Sequence, residues 1–134
     1  MKRFLTIIAF SLILITILSG CSDTVNNKIT FTNFATNKVF INFRASLIPV
    51  ESGETVILSN IDKGKYLYET TYEVPANATS FKADGAVAGD VTLSAGTKIL
   101  IVYSSTFVDD AYTLSATIST SEGISSGNDD PLSP

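Results

Sequence analysis

The chain has 134 residues, with one cysteine, no histidine, no tryptophan, and 13 acidic against 9 basic side chains, a formal net charge of −4. Without histidine it can host neither Ser-His-Asp nor Cys-His catalysis, and it lacks the commonest metal ligand. A single cysteine leaves no internal disulfide, and zinc sites draw mainly on Cys and His, so no metal and no cofactor is expected.

The chain opens with Met1-Lys2-Arg3, a positive start, followed by fifteen uncharged residues from Phe4 to Leu18. That length suits the apolar stretch of a signal peptide and falls short of the roughly 20 residues a bilayer span requires. The stretch ends in Leu18-Ser19-Gly20-Cys21. With the basic start and apolar run before it, this ending resembles the lipobox of bacterial lipoproteins. The resemblance covers residues 1–21 alone.

It implies that residues 1–20 are cut away as a signal peptide. Cys21 would then carry a diacylglyceryl group, with palmitate-type acylation of the new amine. Lipidation would also consume a thiol that has no partner in the chain. One acyl chain holds a protein only marginally, and two or three hold it firmly at about 0.8 kcal/mol per buried methylene. In the enterobacterial sorting pattern an aspartate directly after the cysteine retains the protein at the inner membrane. Ser22 stands there and Asp23 comes one place later, so the resemblance implies an outer-membrane address in the cell envelope.

Loss of the leader leaves 114 residues with seven basic and thirteen acidic side chains, a formal −6. This length suffices for one domain with its own core. An acidic chain gains nothing from phosphate backbones, so no nucleic-acid partner is expected. The same net charge predicts repulsion from anionic headgroups, which leaves the holding to the lipid.

Residues 21–27 read as the lipidated cysteine and a short polar tether, which predicts a domain riding close to the bilayer. From Lys28 the apolar residues recur with period two. Ile29 and Phe31, then Val39, Ile41 and Phe43, predict two half-buried strands joined as a hairpin through Asn33–Asn37. Pro49 interrupts the next stretch, Glu51-Ser52-Gly53-Glu54 forms a turn, and Val56 and Leu58 carry a short strand. Tyr66, Tyr68, Thr70, Tyr72 and Val74 then alternate with Lys65, Leu67, Glu69, Thr71 and Glu73 up to Pro75. Short strands follow at Phe81 and at Val91–Leu93. The continuous run Ile99–Tyr103 predicts a strand covered on both faces or lying at the heart of a sandwich. A loop over 106–110 leads to a last alternating strand, Tyr112 to Ile118.

No amphipathic helix is visible in residues 28–119. Seven to eight short strands with Gly, Asn and Asp turns predict an all-β, two-sheet antiparallel sandwich over 28–119. Residues 120–134, rich in Ser, Gly, Asn, Asp and Pro, read as a disordered tail. Gly64-Lys65-Tyr66-Leu67-Tyr68 resembles the turn, Gly, x, Tyr piece of immunoglobulin-like and transthyretin-like envelope modules, which implies that sandwich type.

Carboxylates offer little chemistry. Glu69 and Glu73 on one strand face stand about 13 Å apart, beyond the span of roughly 5 to 9.5 Å used by glycosidase pairs. Asp84, Asp90, Asp109 and Asp110 sit in loops without the alternating acidic pattern of a calcium loop. The aromatic stripe Tyr66, Tyr68 and Tyr72 is the candidate ligand-binding surface, since stacked rings hold sugars or partners. Its plainer reading is core, with Lys65, Glu69 and Glu73 on the wet face. Taken together, these features point to a membrane-anchored, non-catalytic interaction or accessory module. The partners expected are the membrane through Cys21 and an envelope protein or glycan. The alternatives are a carbohydrate-binding module built on the tyrosine stripe and a surface or pilus subunit assembling by strand addition.

Overall fold

The computed structural model describes residues 26–121. The leader, Cys21, most of the tether and the tail from 122 onward lie outside the described residues. Nine strands form: β1 Lys28–Asn33, β2 Val39–Phe43, β3 Ser46–Val50, β4 Thr55–Ser59, β5 Gly64–Tyr72, β6 Ser80–Gly85, β7 Ala88–Leu93, β8 Lys98–Val108 and β9 Ala111–Thr120. They make two sheets, ordered β4-β1-β8-β9-β6 and β3-β2-β5-β7. The expected all-β two-sheet sandwich is thus observed, with nine strands in place of seven to eight. Its pairings are antiparallel except for β1 with β8 and β6 with β9, which run parallel.

The period-two pattern builds each layer. Ile29 and Phe31 of β1, Ile99, Ile101 and Tyr103 of β8, and Tyr112, Leu114 and Ala116 of β9 point inward from the five-stranded sheet. Val39, Ile41 and Phe43 of β2 and Val91 and Leu93 of β7 meet them from the four-stranded sheet. At about 25 cal/mol per Å² of apolar area, this shared interior supplies the main folding drive.

The hairpin expected from β1 and β2 does not form, because the two strands lie in different sheets. Their apolar faces oppose one another across the core. The connection is shaped by Asn33, whose Nδ2 donates to Asn37 O and Val50 O at 2.9 Å and whose Oδ1 accepts from Ala35 N at 2.9 Å. Within its own sheet β2 pairs with β5 on one side and, on the other, with β3, to which it is joined through Arg44 and Ala45 at φ 52° and 58°. Such a turn ordinarily selects Asn-Gly. Arg-Ala carries no turn signal, and Pro49 sits mid-strand, tolerated because β3 is an edge. These two features hide β3 and account for the ninth strand.

β8 is the middle strand of its sheet, as its apolar run suggests, but only one face is covered. Leu100 remains 39% exposed on the outside. β8 also continues through the residues expected to be loop, and its turn to β9 is confined to Asp109 and Asp110 at φ 51° and 58°. No helix among the described residues is long and apolar enough to cross a membrane.

Candidate functional site

The three tyrosines of β5 belong to its inner face. Tyr68 is 5% exposed, and its hydroxyl donates to Ala86 O at 2.8 Å. Tyr66 is half-buried; its hydroxyl donates to Asp62 O at 2.8 Å, and its ring lies 5.5 Å from that of Phe43. Tyr72 is half-buried too, with its ring 5.9 Å from that of Tyr112. Between them Thr70 Oγ1 meets the Tyr103 hydroxyl at 2.8 Å. Burial pushes the phenols of Tyr68 and Tyr72 up from the ordinary value, and drives Tyr103 to about 12 despite the opposing hydrogen bond from Thr70. Of the stripe, Tyr68 is thus committed to the interior, while Tyr66 and Tyr72 pack one side of their rings against the core and keep the other side partly exposed.

The outer face of the same sheet is wet. Lys65, Leu67, Glu69 and Thr71 alternate with the tyrosines and are exposed, Leu67 to 75%. An open depression of about 720 Å³ lies there, lined by Arg44, Lys65, Leu67 and Glu69 and bordered by Tyr66 and Tyr68. Lys65 pairs with Asp90 at 3.2 Å, from β5 to β7. Arg44 lies 5.7 Å over the Tyr66 ring. The depression offers Leu67, Ala45 and Ala88 as apolar side chains beside both signs of charge, with no nucleophile and base brought together.

The carboxylates remain dispersed. Among the described residues, no group of three or more His, Cys, Asp or Glu side chains is placed to hold a metal ion. Glu51 is engaged by Lys38 at 2.6 Å, which raises the lysine above its usual range through that hydrogen bond and its charge. Asp84 is engaged by Lys82 at 3.0 Å.

The most organised polar site is one that the sequence reading assigned to the tether. Asn27 is fully buried. Its Nδ2 donates to Ile61 O at 2.9 Å, and its Oδ1 accepts from Thr97 N at 2.8 Å. Lys28 N then donates to Thr97 O at 2.9 Å. One side chain thus fastens the entering chain to the loops before β5 and before β8, so Asn27 belongs to the sandwich and not to a tether. Asn33 does the same work at the other end of β1, so a buried asparagine brackets the strand on each side. A lone asparagine in a polar run carries no signal of burial, which is why both were read as turn or tether residues.

Comparison with protein-family models finds none that matches the chain, and comparison with curated proteins returns no match. No family is assigned.

Proposed function

We propose that this chain is a lipid-anchored envelope protein whose β-sandwich serves as a non-catalytic interaction or accessory module. The observation that carries the reading is the ending Leu18-Ser19-Gly20-Cys21 behind a basic start and a short apolar run. Two further features support it. The sandwich takes hold of the chain at Asn27, six residues after Cys21, so a lipid on the cysteine would hold the domain within about 20 Å of the bilayer. Tyr68, the centre of the stripe that would stack on a sugar, is buried, and Tyr72 packs against Tyr112, which favours an interaction module over a carbohydrate-binding one.

The test is mass spectrometry of the full chain recovered from a bacterial membrane fraction. The reading requires an N-terminus at Cys21 carrying the mass of a diacylglyceryl group and acyl chains, and release of Cys21→Ser from that processed membrane pool. A free thiol behind an intact leader would refute the anchor.

A further inference from the structure

The net charge of the chain hides a division between its two ends. At the base, where the tether enters, stand Lys28 at the start of β1, Lys98 at the start of β8 and Lys63 in the loop that Asn27 fastens, with Asp62 as the acidic neighbour in that loop. Arg44 and Lys65 flank the base on the four-stranded sheet. The far end carries Glu51, Glu54, Glu73, Asp109 and Asp110, with Lys38 and Lys82. Pairing follows the same division. Both far-end lysines are engaged by carboxylates, Lys38 by Glu51 and Lys82 by Asp84. At the base only Lys65 is so engaged. Lys28, Lys63, Lys98 and Arg44 have no acidic partner among the described residues.

The register makes the base costly for folding alone. Lys28 and Lys98 are directly opposed across the β1–β8 ladder, on strands about 4.8 Å apart. Like charges in that relation repel and destabilise a sheet. An anionic surface laid against the base converts that repulsion into attraction.

We propose that the base is a docking surface for the anionic phospholipid headgroups of the membrane that holds the anchor, so that the domain sits base-down on the bilayer. The choice of partner rests on the anchored reading above: residues 22–26 reach at most about 17 Å, which keeps the base beside the headgroups. The overall negative charge does not oppose this. The eleven residues of β8 separate Lys98 from the Asp109–Asp110 turn by about 35 Å, while ions screen charge beyond about 8–10 Å. The headgroups therefore feel the base and not the far end, and the repulsion that net charge alone predicts does not apply to a domain in this orientation. Each basic side chain near an anionic leaflet strengthens binding about fivefold.

The experiment uses residues 22–134 without Cys21. The sandwich over 26–121 closes on its own core, so this form retains the fold, and it separates docking from lipidation. Co-sedimentation with phosphatidylcholine vesicles is compared with vesicles containing 30% phosphatidylglycerol, at low and high salt. Binding should require phosphatidylglycerol and fade with salt. The K28Q/K63Q/K98Q variant should lose roughly 100-fold. The far-end variant K38Q/K82Q, nearly matched in net-charge change, should bind as the parent does. Circular dichroism confirms that each variant is folded. Binding indifferent to phosphatidylglycerol, or equal losses in both variants, would overturn the proposal. So would binding that emerges only after removal of residues 122–134, because the acidic tail would then be the occupant of the base. Failure here leaves the mass of processed Cys21 unchanged, and failure of lipidation leaves this binding unchanged, so the two readings fall separately.

Discussion

The hydroxyl of Tyr103 on β8 and Oγ1 of Thr70 on β5 meet at 2.8 Å inside the sandwich, one from each sheet. Tyr103 is fully buried and Thr70 is 9% exposed, so this polar link between the sheets is shielded from water. Replacing Tyr103 with phenylalanine removes one partner and leaves a buried threonine hydroxyl unpaired. The expected loss is about 1–2 kcal/mol in urea unfolding. Thr70→Val in the same background should recover part of that loss, because the orphaned group goes with it. A double-mutant cycle should therefore show a coupling of about 1 kcal/mol. Strict additivity of the two substitutions would mean the contact contributes nothing.

The same residue predicts a loss of stability in alkali. Burial raises the Tyr103 phenol to about 12, from an ordinary value of 10.0. Above pH 10 the unfolded chain releases that proton while the folded chain keeps it, so unfolding is favoured as pH rises. The contribution is complete below pH 10 and declines up to about 12, by roughly 2–3 kcal/mol in all. Tyr68 and Tyr72 are shifted in the same direction by burial and steepen the fall. Denaturation midpoints taken from pH 8 to 11.5 should drop for the parent and drop less for Tyr103→Phe. Parallel curves would assign the alkaline loss to other groups.

Much of this fold was legible because a half-buried strand writes its burial into alternate residues. The stretches from Tyr66 to Tyr72 and from Tyr112 to Ile118 declared themselves in that way, whereas the run from Ile99 to Tyr103 marked a strand but not that one face is open. The placement of strands in sheets was not legible. Ile29 and Phe31 carry the same pattern whether β1 lies beside β2 or faces it across the core, and the choice is made by the long-range ladders of β1 with β4 and β8. β3 was lost because Arg44 and Ala45 adopt positive φ without the residues that favour it. The base was missed for a different reason. Summing charge over a chain discards position, and Lys28 and Lys98 become neighbours only through a parallel pairing between residues 70 apart in sequence.

Asn27 is predicted to be worth more than any other polar residue near the tether. Asn27→Ala leaves Ile61 O and Thr97 N without their side-chain partner inside the base, at a cost of about 2–4 kcal/mol. Asn27→Asp keeps an acceptor for Thr97 N but sets a second carboxylate oxygen against Ile61 O in a buried place, and should be worse still at neutral pH. Amide exchange should rise in residues 61–64 and 94–98 before it rises in β2 or β3. Thermal midpoints for both variants within a degree of the parent would show that the clamp is dispensable.

Two glycines separate backbone strain from collision. Gly53 and Gly85 have nearly the same torsion, φ 80° and 78°. A Cβ at Gly53 meets nothing within 4 Å, whereas a Cβ at Gly85 would collide with Ala116 O, the carbonyl that accepts from Ala86 N at 2.8 Å. Gly53→Ala should therefore show the left-handed penalty alone, about 1 kcal/mol. Gly85→Ala must in addition push β6 away from β9 at the point where the chain leaves for β7. A total of about 3–4 kcal/mol is expected, near the upper range for a single substitution. The pair can be compared directly by urea midpoint, and equal losses would mean that β6 yields freely. Because β6 is the edge of the five-stranded sheet and is held by β9 alone, proteolysis of Gly85→Ala should begin between residues 80 and 87.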